Sequence, residues 1–143
     1  IMATPMTIKQ EKFNLLLNKY KEKAEIIPIP CAGLMEFIEN GVLSGKELEE
    51  YLEEKLSLYN KDDISSIVLG CTHYPFVKDT IAKIVGSNVA IMDGGEGTAR
   101  EIKRRLKEKD LLTDRTETGN ITIYNSLDDQ RVIDLSLKLI EQS

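Results

Sequence analysis

The chain has 143 residues, enough for one domain with a core of its own, and its 41% hydrophobic and 30% charged content is that of a soluble globular protein. A net charge of −5 and a pI near 5.0 argue against a nucleic-acid or anionic-membrane surface, which needs a basic face. Apolar runs fall well short of the roughly 20 residues of a membrane helix, and because Ile1–Thr7 leads straight into a polar helix, no signal peptide is expected. The two cysteines, Cys31 and Cys71, are then expected as free thiols in a reducing cytoplasm, and with a single histidine they make no zinc cluster.

Taken in chain order, Ile1–Thr4 reads as the end of a strand, since Pro5 bars a regular helix across it. Ile8 to Lys23 carries Ile8, Phe13, Leu16, Leu17 and Tyr20 at near-helical spacing. Ala24–Pro30 is a short β-like run ended by proline, and Leu34, Phe37 and Ile38 predict a short helix stopping at Asn40-Gly41. Ser44 and Glu47 fit a capping box before a helix that runs to about Tyr59, with Leu48, Tyr51, Leu52, Leu56 and Tyr59 as its apolar stripe. Ser65–Leu69 is a β-branched strand stopped by Gly70, and a helix is expected from about Phe76 to Val85. Val89–Met92 is a third strand, Thr98–Lys109 a basic helix and Thr113–Gly119 a loop. Asn120–Tyr124 is a fourth strand, and Ser126–Asp129 starts the last helix. Strands alternate with helices, so the fold class is α/β with a mainly parallel sheet flanked by helices.

In such sheets ligands bind beyond the carboxyl ends of the strands. Thr4 and Thr7, Cys71–His73 and Asp93–Gly95 all follow strand ends, so parallel neighbours would bring them to one rim. Gly70-Cys71-Thr72-His73-Tyr74-Pro75 is the most informative stretch. A thiol between a strand and a helix N-terminus feels the positive end of the helix dipole, and turn N–H groups there can hold a carboxylate. His73 is placed to exchange a proton with the thiol or a substrate. The plainer alternative is a buried small residue at Cys71 and a surface histidine at 73.

Leu69-Gly70-Cys71-Thr72-His73-Tyr74-Pro75 resembles the signature of cofactor-independent glutamate racemases around their second catalytic cysteine. Ala3–Lys9 resembles the family's threonine-bearing substrate loop, and Pro30–Gly33 through Ile38-Glu39 its segment ending in an acidic residue. Asp93-Gly94-Gly95 to Glu101 resembles its Asp-Ser-Gly…Thr-Ala-Arg stretch, with Gly94 in place of serine. The resemblance covers nearly the whole chain. It implies interconversion of L- and D-glutamate, which supplies D-glutamate for peptidoglycan, in the cytoplasm and with no cofactor. One thiol would remove the Cα proton while another, on the opposite face, delivers one.

Residue by residue, the resemblance makes Cys71 a catalytic base, His73 its helper and Glu39 the partner of that histidine. Thr4, Thr7 and Thr72 become substrate-binding residues. Taken without it, Thr4 and Thr7 are turn-forming hydroxyls, Glu39 a solvated helix end, Asp93 a helix cap and Cys31 a buried thiol. The family's N-terminal half, with its Asp-Ser-Gly-x-Gly-Gly and Cys-Asn-Thr segments, does not occur here. The resemblance therefore implies a truncated, partial enzyme, inactive alone, whose partner is its missing N-terminal half and which admits a homodimer. Residues 1–92 would form the domain carrying the second catalytic cysteine, and 93–143 a segment that packs on the missing domain. A Cys-His hydrolase is a poorer reading, because a two-residue gap restricts the geometry and no orienting Asn or Asp is evident. A non-catalytic interaction domain is a third reading. Among racemases, His73 favours glutamate over aspartate.

Overall fold

In a computed structural model, which describes residues 1–59, 63–127 and 129–141, the chain divides into two compact units, Ile1–Asp93 and Gly94–Ser143.

The first unit opens with β1 (Met2–Ala3), α1 (Pro5–Ile8) and α2 (Glu11–Tyr20), followed by β2 (Ile29–Pro30) and α3 (Leu34–Glu39). It continues through α4 (Lys46–Leu56), β3 (Ser66–Val68), a one-turn 3₁₀ helix at Tyr74–Val77, α5 (Lys78–Val85) and β4 (Ala90–Met92). β1 pairs in parallel with β2, and β3 with β4 in the register Ser66–Ala90, Ile67–Ile91 and Val68–Met92. A parallel bridge between Met2 and Leu69 joins the pairs, giving the order β2-β1-β3-β4. The order reverses between β1 and β3, the kind of switch point beyond whose carboxyl ends open α/β sheets bind ligands.

Strand periodicity of two decides which side chains enter the core. Met2, Ile29, Ile67 and Leu69 are buried in one cluster with Leu34 and Ile38 of α3, Leu48, Leu52 and Leu56 of α4, and Ile81 and Val85 of α5. Val68 and Met92, one residue out of phase, are exposed. Phe13 of α2 is buried outside that cluster.

The fourth expected strand, Asn120–Tyr124, is not formed: the segment carries no ladder among the described residues, and Ile121 and Tyr124 are exposed. Its β propensity has no neighbouring strand to satisfy. Neither is the Ser44 capping box. Gly45, at φ 108°, is the N-cap of α4, so the third helical residue is Leu48 rather than Glu47. The helix expected over Ile8–Lys23 is the shorter α2, and Ile8 instead ends α1, a separate turn that starts at Pro5 with Thr4 as its cap. The β-like run Ala24–Pro30 pairs only at Ile29–Pro30, and α4 ends at Leu56 rather than Tyr59.

The second unit holds α6 (Gly95–Glu108) and α7 (Gln130–Glu141). α6 starts three residues before the expected Thr98, and α7 follows its start signal, of which Asp128 lies outside the described residues. No described residue of this unit is buried, although both helices are amphipathic. Among the described residues, no helix is long and apolar enough to cross a membrane.

Candidate functional site

Cys71 lies beyond the carboxyl end of β3, two residues after the Leu69 bridge. The backbone reaches this point by packing tightly against β1. Gly70 donates its N–H to the Met2 carbonyl at 2.8 Å, and a Cβ on Gly70 would stand 3.1 Å from that same oxygen and 3.4 Å from the Ala3 Cβ. The oxygen is held by the hydrogen bond and cannot retreat without losing it. Gly70→Ala is therefore expected to destabilise the fold by about 1–3 kcal/mol and to displace Cys71. Urea denaturation reads the first effect and the rate of Cys71 alkylation by iodoacetamide the second; wild-type values in both would show that β1 yields freely.

The helix expected from about Phe76 to Val85, with Cys71 at its N-terminal side, is preceded by a tighter turn and starts two residues later. Tyr74–Val77 is 3₁₀ and α5 starts at Lys78, because Pro75 suits the first turn of a helix and not its interior. Cys71 and Thr72 therefore sit in a bend and do not cap a helix.

The half-buried Cys71 Sγ is 3.9 Å from His73 Nδ1, at the long end of a sulfur hydrogen bond. On the other side of the ring, His73 Nε2 is 3.2 Å from Glu39 Oε1. With Nε2 carrying the hydrogen toward the carboxylate, Nδ1 presents a lone pair to the thiol. Glu39 is 56% exposed and His73 31%, so water screens the pair, which orients the ring more than it stabilises the fold. Glu39 arrives here because α3 ends on it, just before the Asn40-Gly41 stop.

Thr4 and Thr7 follow β1, on the other side of the switch point. The Thr4 hydroxyl caps α1 by accepting the Thr7 N–H at 3.2 Å, and the two hydroxyls lie 2.9 Å apart. They are thus both turn-forming and, at half burial, open to a ligand. Thr72 is exposed. Cys71, His73 and Glu39 form one contact chain, whereas the threonines join it only through the shared rim of the sheet.

Asp93, beyond β4 on the same rim, is one residue short of the N-cap of α6, which is Gly94, and its carboxylate receives Lys78 Nζ at 3.4 Å. Sequence reasoning missed Lys78 because nothing in its spacing distinguishes it from a solvated lysine.

Cys31 is only 2% exposed; its thiol donates to the Ile29 carbonyl at 3.4 Å, and burial pushes it up to about 11. A cavity of about 440 Å³ lies at the amino ends of β2 and β3, between Ile27, Tyr59, Ile64 and Ser66. It contains neither thiol nor imidazole and is at the wrong end of the strands for the chemistry above. Among the described residues, no group of three or more His, Cys, Asp or Glu side chains is arranged to hold a metal.

No family model matches the chain. Over all 143 residues it is 54% identical to a glutamate racemase of Clostridium botulinum (strain Alaska E43 / Type E3), of which it covers 55%. Over 141 residues it is 55% identical to a glutamate racemase of Clostridium perfringens (strain ATCC 13124), covering 54%. The chain thus spans about half the length of the curated relatives it matches. Among solved structures, it superposes with a TM-score of 0.80 and 28% identity on glutamate racemase from Francisella tularensis in complex with D-glutamate, over 98% of this chain and 52% of that one. Escherichia coli glutamate racemase, at 19% identity over 96% of this chain and 53% of that one, has the same fold with a TM-score of 0.73.

Proposed function

From a chain homologous to one half of glutamate racemases, we propose that this is the C-terminal half of such an enzyme, supplying one of its two proton-transferring thiols. The observation that carries the reading is the Cys71–His73–Glu39 contact chain at the switch point of the parallel sheet. Glutamate is the substrate, and the product D-glutamate serves peptidoglycan synthesis and so cell shape. The enzyme works in the cytoplasm, without a cofactor, and admits a homodimer.

The chemistry suits these groups. The Cα–H beside a free carboxylate is a very weak acid, so its removal needs a base already positioned and fixed donors for the charge that develops on the carboxylate. His73 Nδ1 takes the thiol proton, leaving Cys71 as thiolate against one face of Cα. Glu39 holds the ring in the required tautomer and steadies the imidazolium. The hydroxyls of Thr4, Thr7 and Thr72 offer donors to the substrate at the same rim. A second thiol from the other half faces the opposite side of Cα, and the two exchange roles between the two directions of reaction.

Residues 1–92 form the domain that carries Cys71, and 93–143 pack on the other half. The compact units Ile1–Asp93 and Gly94–Ser143 support that division, as do the exposed Ile102 and Leu106 of α6 and Leu137 and Ile140 of α7.

The test is to co-express the chain with the missing half and follow D-glutamate in deuterated water by chiral analysis and mass spectrometry. Inversion with Cα deuteration and without added pyridoxal phosphate is expected; a strict requirement for that cofactor would refute the reading. In the same assay Glu39→Gln is expected to lower kcat on the order of 10-fold with KM little changed. That is less than the 10²–10⁴ of a direct acid–base group, because Glu39 acts through His73. An unchanged kcat would remove Glu39 from the machinery.

A further inference from the structure

The loop bearing Cys71 touches α3 at both ends of that helix. At the far end is the His73–Glu39 pair. At the near end Tyr74, adjacent to His73 in sequence and 0% exposed, donates its phenol hydrogen to the Cys31 carbonyl at 3.2 Å. The same carbonyl accepts the Leu34 N–H that opens α3, at 3.4 Å, and the Cys31 N–H is tied to Ala3 of β1 at 3.0 Å. Next to it, the half-buried Tyr51 of α4 donates its phenol to the Ala32 carbonyl at 2.9 Å. Two tyrosines thus fasten the Cys31-Ala32 turn from which the six-residue α3 departs. A helix that short spans only about 9 Å, so a small tilt at its base is carried almost undiminished to Glu39 at its tip.

We propose that Tyr74, seconded by Tyr51, is a positioning residue: its phenol locks the base of α3 to the Cys71 loop and so keeps the Glu39 carboxylate on the His73 imidazole. A phenylalanine at 74 would fill the same volume and would meet no steric obstacle. The hydroxyl lies at a fully buried site where it must find an acceptor, and the acceptor it finds is the carbonyl that launches α3. Its consequence for turnover rests on the racemase reading; its effect on the imidazole does not.

His73 is the only histidine of the chain, so its imidazole nitrogen-15 resonances can be assigned without ambiguity. Glu39→Gln defines the spectrum of the unpaired ring. Tyr74→Phe is expected to move the His73 resonances most of the way to that spectrum. Thr80→Val is the control: it removes another buried hydroxyl, whose 3.0 Å bond goes to the Leu43 carbonyl and not to the Cys31-Ala32 turn, and is expected to leave the imidazole unmoved. If Tyr74→Phe does not fold, Tyr51→Phe is expected to shift the same resonances in the same direction by less, since water can replace its half-buried phenol. Wild-type resonances in both tyrosine variants, an equal shift in Thr80→Val, or no response to Glu39→Gln would each overturn the proposal. In the enzyme assembled with its other half, Tyr74→Phe is expected to lower kcat roughly tenfold with KM unchanged. An assembled wild-type enzyme that fails to racemise glutamate, while the resonances behave as stated, would defeat the racemase reading and leave the positioning role standing.

Discussion

Cys71→Ser, placed in the enzyme assembled from both halves, is expected to lower glutamate racemisation in both directions by at least about 10³-fold, near the upper range of what general acid–base catalysis contributes. The substitution changes one atom at a half-buried position and leaves the hydrogen bond of Gly70 to Met2 intact, so the fold is expected to survive. What it removes is basicity. A thiol ionises close enough to neutrality to serve alternately as base and acid, whereas an aliphatic hydroxyl beside the same imidazole is almost never an alkoxide. Both directions are expected to fail together because, in the proposed mechanism, each thiol is the base in one direction and the proton donor in the other. Chiral chromatography of reactions started from each enantiomer measures the loss. Turnover within tenfold of wild type would exclude Cys71 as a proton-transferring group.

The chain by itself is expected to show no racemisation above the uncatalysed rate. Inversion needs an acceptor on one face of Cα and a donor on the other, and only Cys71 stands at the rim of the sheet. Cys31 is sealed beneath it. Its thiol is committed to the Ile29 carbonyl and, pushed up to about 11 by burial, remains protonated at neutral pH. One thiol acting alone can return a proton only to the face it came from, which restores the starting enantiomer. Even that exchange is weakened in an open half-site, where water screens the donors that would stabilise charge on the carboxylate. Incubating the purified chain with D-glutamate in deuterated water separates the outcomes. L-glutamate above the blank would make Cys31 the second base, which Cys31→Ala would then have to abolish.

The two thiols show how far the sequence could be read. That Cys71 follows a strand and Cys31 is buried was legible, since Ser65–Leu69 is β-branched and apolar, ends at Gly70, and is a pattern with few alternatives. The alternation of strands and helices, the helix ending at Glu39, and the resemblance carried by Leu69–Pro75 were legible for the same reason: each is a local signal a few residues long. The strand at Asn120–Tyr124 failed as a prediction because β propensity states what a segment can do once it has a neighbour. The Ser44 cap failed because a one-residue offset in the start of α4 places Gly45 at the cap position.

The sequence by itself therefore determined most element types and the parallel α/β class, and singled out the residues proposed to carry the chemistry, because side-chain pattern and turn composition act over one or two turns of chain. Only the tertiary structure decided which of those residues meet. The bridge between Met2 and Leu69 sets β1 beside β3 and so brings Thr4 and Cys71 to one switch point. The packing of α3 against the 3₁₀ turn brings Glu39 within 3.2 Å of His73, across 34 residues of sequence. Strand order, and the hydrogen bonds that Tyr74 and Tyr51 make to a turn more than a helix away, arise from burying apolar faces against distant partners; that energy belongs to the assembled core and to no single segment.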